Sequence, residues 1–473
     1  MMSKPRRVHP LAIIPFALQF MKNALIPIVV GSFSLIREHP FLTILGAFGV
    51  LLLTGFFGAL AWYNFTYSIE GGELRVQKGL LNKQRRYIPL ERIQSIDISA
   101  GIIFQLVGLV KLQVETASDG KLPEISLAGI KKQEAEELKR MLNEAKLAGK
   151  AEKQQGEAAL EEQAEAVAET PKKRYTLTPK RLILMALTSS SLGLFAPVLS
   201  TITEPLVNFI DYFVNWFDFA SFDLAAYKYV ALGVVIAALS VVGSLVATIL
   251  AYARFTLTRQ GDELKISRGL LEKRELTLPL NRLQGIRIVE GILRQPFGFV
   301  TVHVESGGYG KNQGQSTVIF PMVKRSELPA FLEDVLPEFR MSTDLAALPK
   351  RAKRRYAFRA SLFSIVPIGV LTWFFFPYGL FGLVLIPLLV GLGFLQHREA
   401  GWAMREGFYT IRSRTIARTT VVIPRRKVQS FHHQQSLFQK RARLATASVR
   451  ITSGGIGKTF KIVDLEQDVV FGK

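Results

Sequence analysis

Two kinds of pattern alternate along the chain. Uncharged apolar runs cover residues 41–63, 182–203, 229–253 and 360–396, and a less regular run, interrupted by Pro15, Lys22 and Pro27, covers 11–36. A helix rises 1.5 Å per residue and the hydrocarbon core of a bilayer is about 30 Å thick, so about 20 apolar residues suffice to cross it. The last run is 37 residues long and is broken by Pro377, Tyr378 and Gly379, which predicts two short spans in a hairpin. The predicted architecture is α+β, with about six transmembrane helices in three pairs. Each pair is followed by a stretch with short alternating segments, such as 74–76 and 112–114, that read as strands. Gly71-Gly72 and Asp119-Gly120 supply turns between them.

The alternating stretches share one motif. Tyr87-Ile88-Pro89-Leu90-Glu91-Arg92-Ile93-Gln94-Ser95 recurs as Thr277-Leu278-Pro279-Leu280-Asn281-Arg282-Leu283-Gln284-Gly285 and as Val422-Ile423-Pro424-Arg425-Arg426-Lys427-Val428-Gln429-Ser430. Gly101 to Gln105 matches Gly291 to Gln295, and Leu112 to Thr116 matches Val302 to Ser306. The prolines are 190 and 145 residues apart, so one module is used three times with unequal connections rather than as a solenoid. The chain divides into a first transmembrane pair (1–66), module one (67–145), a charged tether (146–174), a second pair (175–253), module two (254–340), a third pair (341–397) and module three (398–473). Ala135, Leu138, Leu142 and Ala145 share one helical face, which predicts a helix closing module one. Residues 326–335 do the same for module two, and module three shows no such helix.

Charge fixes an expected orientation. Lys4, Arg6 and Arg7 precede the first pair, Lys172, Lys173, Arg174, Lys180 and Arg181 the second, and Lys350, Arg351, Lys353, Arg354, Arg355 and Arg359 the third. The loops inside the pairs lack such clusters. The positive-inside rule then places both termini and all modules in the cytoplasm. The 473 residues are 49% hydrophobic and carry a formal charge of +22, a combination that fits membrane spans better than a soluble core. Cysteine is absent, which excludes disulfides, thiolate metal sites and cysteine nucleophiles. No cleavable signal peptide is expected.

Catalytic chemistry finds little support. The stretch from Ser453 to Thr459 lacks the first glycine of a phosphate-binding loop, Thr452 standing in its place, and is followed by a strand pattern, so it reads as a hairpin turn. His432 and His433 are adjacent on a predicted strand and point to opposite faces, unlike a metal pair. Glu115 and Glu305 recur, but module three has no matching acid. No cofactor, metal or nucleic acid is expected. The candidate binding residues are Arg92, Gln94, Arg282, Gln284 and Gln429 of the repeated motif, with two basic stretches of module three, Arg425, Arg426 and Lys427, and Lys440, Arg441 and Arg443. Module three holds 15 lysines and arginines against 5 acids, whereas module one holds 12 against 11. If its two stretches lie together they make one patch for an anionic surface.

The Gly-Leu-Leu turn, the Ile-Pro-Leu-Glu-Arg-Ile-Gln-Ser motif and Val114-Glu115-Thr116-Ala117-Ser118 resemble the bacterial pleckstrin-homology-like (PH-like) domain of membrane proteins. Paired spans ahead of each of three such domains resemble the YdbT-type architecture. The resemblance implies a small curved antiparallel sheet capped by a helix in each module, and association with a smaller, single-module membrane relative. The expected role is non-enzymatic display of the modules to a protein, a peptide or anionic lipid headgroups. The alternative is a transporter or lipid-handling protein with a path between the spans, though Lys22 is the sole charge candidate inside them.

Because the chain has no cysteine, single cysteines report orientation without background. A cysteine at Ser221 is expected to react with an impermeant thiol reagent in intact cells, and one at Ser267 or Ser453 is not. The reverse pattern contradicts the orientation.

Overall fold

A computed structural model describes residues 5–17, 20–21, 40–79, 83–90, 93–116, 125–138, 140–141, 173–188, 225–306, 316–342, 344–374, 376, 378–452 and 457–467. Most of the tether, Arg92 and most of the runs at 11–36 and 182–203 lie outside these residues. Module one supplies β1 (Arg6–Arg7), β2 (Thr66–Glu70), β3 (Glu73–Lys78), β4 (Gln84–Pro89), β5 (Ile93–Ala100), β6 (Leu109–Thr116) and β7 (Ile125–Lys131). Module two supplies β8 (Arg174–Thr176), β9 (Thr256–Gln260), β10 (Glu263–Arg268), β11 (Lys273–Pro279), β12 (Leu283–Glu290), β13 (Phe299–Ser306) and β14 (Thr317–Lys324). Module three supplies β15 (Ala346–Ala347), β16 (Gly401–Arg405), β17 (Phe408–Arg414), β18 (Arg418–Pro424), β19 (Val428–Gln434), β20 (Leu444–Ile451) and β21 (Lys458–Glu466). Among the described residues every module thus has four strands, the first of them drawn from the segment ahead of the sequence-drawn module, then the turn of the repeated motif, then three strands.

The helices are α1 (Pro40–Tyr63), the short α2 (Ile102–Leu106), α3 (Pro179–Leu187), α4 (Ala225–Tyr252), α5 (Leu328–Val335), α6 (Lys353–Phe374), α7 (Leu385–Glu399) and the short α8 (Leu437–Arg441). Among the described residues no helix is long and apolar enough to cross a membrane. Both α1 and α4 contain positions whose side chains lie outside those residues. The run at 360–396 breaks near the expected place: α6 ends at Phe374, a 3-10 segment covers Tyr378–Val384, and α7 follows.

The chain folds as two units. The first comprises Met1–Pro171 with Leu271–Leu278. Here β1-β2-β3-β4 form one antiparallel sheet, and β7-β6-β5 form a second that takes β11, a strand from module two, along β5. Tyr67, Ile69, Leu74, Val76 and Ile88 of the first sheet pack against Ile93, Ile98, Leu112, Val114 and Leu127 of the second. Ala135 and Leu138, both fully buried, close this core from the expected helix, whose described part begins at residue 132. The turn between β2 and β3 is carried by Gly71 and Gly72 at φ of 60° and 76°, the left-handed pair that a tight hairpin requires.

The second unit comprises Lys172–Leu270 with Pro279–Lys473. Its largest sheet runs β14-β13-β12-β18-β17-β16-β15, so the last three strands of module two and the first four of module three are one sheet. A separate sheet, β19-β20-β21, completes module three. Ile411, Val421 and Ile423 from the shared sheet meet Ala447, Val449, Ile451 and Ile462 of the three-stranded sheet in one core. The sequence-drawn segments 67–145, 254–340 and 398–473 therefore each hold a core, but their sheets are shared with the neighbouring segment. The physical reason is edge satisfaction, since strands β5 and β12 would otherwise leave a row of backbone groups unpaired.

Buried ion pairs tie the shared sheet together. Arg418 on β18 donates to Glu290 on β12, with Nε 2.9 Å from Oε1. Glu305, fully buried at the end of β13, accepts from Lys458 Nζ at 2.9 Å and lies 3.2 Å from Arg287 Nε. Next to them His303 is held neutral: burial pushes it down to about 3, and Arg287, Lys458 and Arg294 add to the effect.

Unfolding returns His303 to its ordinary value of 6.5. The unfolded chain then binds the extra proton between pH 6.5 and about 3, so the fold loses stability as pH falls through that window and keeps it above. His303→Gln is expected to lose less thermal stability than the parent between pH 7 and pH 4. An equal loss in both would show that His303 does not contribute.

Candidate interaction surface

The repeated motif occupies the same place in each module. Its proline ends the fourth strand, and Pro279 and Pro424 then lead into 3-10 turns at Leu280–Arg282 and Arg425–Lys427. A proline is tolerated at this last strand position, where the ladder ends. Gln284 Nε2 donates to the Arg282 carbonyl at 3.2 Å, so the glutamine pins the turn. Gln94 has its backbone on β5, and its side chain lies outside the described residues. Arg282 is half-buried, and Gln429 is exposed at a register shift of β19.

In the second unit two copies of the motif share one cleft of about 420 Å³, lined by Leu280, Asn281, Glu338, Pro424, Arg426 and Lys427. Its charges answer one another. Lys427 Nζ donates to the Asn281 carbonyl at 2.9 Å, and an Arg426 guanidinium nitrogen stands 3.7 Å from Glu338 Oε2. Arg425 is exposed, and its backbone N–H donates to the Gly407 carbonyl at 2.8 Å.

The second basic stretch lies elsewhere. Lys440 and Arg441 are on α8 and Arg443 follows it, whereas Arg425 to Lys427 precede β19. The seven-residue strand β19 stands between the stretches and holds them roughly 20 Å apart at about 3.3 Å per residue. The single patch expected from the sequence is therefore two sites. The Arg425–Lys427 turn belongs to the contact between modules two and three, and the Lys440–Arg443 stretch belongs to a different feature, the fifth-to-sixth-strand connection.

That connection is built alike in all three modules. After β5, α2 exposes Ile102, Leu106 and Val107, with Leu106 82% exposed. After β12, a turn exposes Ile292, Leu293 and Phe297. After β19, α8 exposes Leu437 and Phe438, at 82% and 73%. Large apolar side chains do not stand this far into water three times over as packing residues. Each tip is held rigidly from below by a glutamine. Gln105 Nε2 donates to the carbonyls of Ala100 and Leu271 at 2.9 and 2.8 Å. Gln295 Nε2 donates to the Glu290 carbonyl at 2.9 Å and accepts from Arg414. Gln439 completes a capping box with Ser436 and donates to Asp464 Oδ1 at 2.9 Å.

The two tips of the second unit adjoin apolar helices. Arg294 Nε donates to Thr188 Oγ1 at 3.2 Å, at the end of α3, which exposes Ile183 and Leu187. Arg355, in the first turn of α6, donates to the Phe438 carbonyl at 2.7 Å. Asp464, fully buried beneath α8, accepts from Arg359 one turn further along α6. Arg414, with its side chain 1% exposed, bonds Glu399 at the end of α7 and the Ile416 carbonyl, and Ile416 is itself exposed in the β17–β18 turn. The sequence reading found Lys440, Arg441 and Arg443 but missed the apolar tips. Their signal was present in the repeated Ile102-Ile103, Ile292-Leu293 and Leu437-Phe438 pairs.

Strands β20 and β21, on either side of the expected hairpin turn, pair antiparallel with Ile451 opposite Lys458, and residues 453–456 lie outside the described residues. His432 and His433 lie on β19, and among the described residues no group of acids and histidines is arranged to hold a metal ion.

Comparison with known proteins agrees with this repeated architecture. The family described as bacterial PH domain matches residues 25–146, 213–338 and 361–470, each match starting ahead of a module. The chain belongs to the bacterial PH domain family and carries three such domains in the YdbT-type arrangement. It is similar to the UPF0699 transmembrane protein YdbT of Bacillus subtilis (strain 168), with 34% identity over 496 residues, covering all of this chain and 98% of the relative. No solved structure matches.

Proposed function

We propose that this chain is a non-enzymatic, multi-pass protein of the bacterial inner membrane whose three PH-like modules rest on the cytoplasmic leaflet through their apolar tips. The observation that carries this reading is the recurrence of exposed tips beside the ends of apolar helices. Support for the membrane comes also from α1, 24 uncharged residues whose Phe41, Leu45, Leu51 and Phe56 are exposed, and from the name of the relative. Exposed leucine and phenylalanine gain about 25 cal/mol per Å² when they leave water. At the headgroup level that gain needs no further partner.

Module three adds charge to the same device. Lys440, Arg441 and Arg443 flank Leu437 and Phe438, and an anionic leaflet attracts each nearby cation by about 1 kcal/mol. The same stretch in module one has no cation, since Ile102 to Val107 contain none. The three modules then share the apolar contact, and the third reads headgroup charge. The sheets are shared between modules, so this is a property of the full chain and not of an excised domain.

Phe438→Cys in the otherwise cysteine-free chain accepts a polarity-sensitive dye. In bilayer discs of phosphatidylglycerol the dye is expected to shift to an apolar environment and to be quenched by lipids brominated near the headgroup. Lys440→Glu with Arg441→Glu is expected to weaken this quenching, and salt to weaken it further. A dye that reports water in every lipid mixture contradicts the reading.

A further inference from the structure

The two shared sheets have one register. In the first unit Ala100 lies opposite Lys273 and Asp97 opposite Leu276. In the second, Glu290 lies opposite Arg418 and Ile286 opposite Val422. Ala100 and Glu290 each stand eleven residues past the proline of their own motif, and Lys273 and Arg418 each stand six residues before the proline of the next. The joint between consecutive modules is therefore a repeated element with a fixed alignment, like the modules themselves.

A chain of three modules uses this joint twice and leaves half a joint at each end. Strand β4 is the terminal strand of its sheet, although its counterparts β11 and β18 are each paired with the preceding module. Strand β19 is the terminal strand of its sheet, although its counterparts β5 and β12 are each paired with the following module. Burial follows the same division. Ile286 and Val422, opposite each other in the second joint, are both fully buried. The residues at their repeat positions are Phe431 on β19 and Tyr87 on β4, and they are 44% and 54% exposed.

We infer that β19 of one chain and β4 of a second copy form the third joint, antiparallel, with Phe431 opposite Tyr87 and Gln434 opposite Gln84. The inference goes beyond the reading of the tips and does not depend on it. The occupant is a second copy because this chain carries both complementary half-joints in the one register that its own modules use. Backbone hydrogen bonds supply the contact, as in strand addition to an exposed sheet edge. The aromatic pair supplies register, since opposite aromatics on neighbouring strands attract. The contact is heterologous: one end of a copy meets the other end of the next, which generates rings or open rows along the membrane.

The test uses the full-length chain in two differently tagged forms, co-expressed and purified together, one with Tyr87→Cys and the other with Phe431→Cys. A short bis-maleimide is expected to yield a product of twice the chain mass carrying both tags. Each form alone is expected to yield none. Gln84→Cys with Gln434→Cys, in the same register, is expected to repeat the result and guards against a folding defect in the first pair. The inference is overturned if neither pair gives a product with both tags. It is overturned equally if Met404→Cys, on an exposed position outside the joint, links to Tyr87→Cys as well as Phe431→Cys does. A single chain carrying both cysteines that becomes cross-linked with no gain in mass also overturns it, because the half-joints would then meet within one copy.

Discussion

Unpaired strand edges are the constraint on which this molecule turns. Each module is two small sheets packed face to face, and neither sheet closes on itself. A row of backbone N–H and C=O groups left on such an edge invites pairing with any passing strand. In the second unit the first four strands of module three join the last three of module two in one sheet, and in the first unit β11 lies along β5. Strand β18 shows what this demands of a sequence. Thr419, Thr420, Val421, Val422 and Ile423 form a continuous β-branched run, and Thr420 to Ile423 are buried. Strand β4, at the same repeat position but at a sheet end, reads Gln84, Arg85, Arg86 and Tyr87, with all four exposed.

The shared sheets also position the tips. The tips of modules one and two follow directly from β5 and β12, the strands that form the joints, so there joint and tip are mechanically one piece. In the second unit this coupling is visible in Arg414, which bonds Gln295 beneath the tip of module two, Glu399 at the end of α7, and the carbonyl of Ile416. A buried arginine satisfied on all sides holds module, helix and neighbouring turn in one arrangement. Leaving it without partners would be costly, which favours a single geometry. Asp464 does the same for module three, accepting from Arg359 and Gln439 while buried.

Much of this was legible in the sequence, for specific reasons. The repeated motif stands out because a proline, a turn and a glutamine are needed at fixed spacing to end one strand and begin the next. The helical hairpin at 360–396 was legible from its length and from Pro377, Tyr378 and Gly379. Sheet sharing was not read, because alternation reports which face of a strand is buried and not which strand lies beside it. The continuous run in β18, against the polar β4, was the available clue. The basic stretches of module three were found, but their separation was not, since a strand keeps residues of similar sequence number far apart in space. The apolar tips were overlooked because two adjacent apolar residues in a turn look like any short core segment until their exposure is known.

The central claim is that consecutive modules share sheets, and hydrogen exchange at single-residue resolution tests it directly on the unaltered chain. A strand paired on both sides has every amide bonded, whereas an edge strand has only alternate amides bonded. Continuous slow exchange along β12 (Leu283–Glu290) and β18 (Arg418–Pro424) is the result the account predicts. Alternating fast and slow amides along both strands would contradict it, because each would then be the edge of its own module.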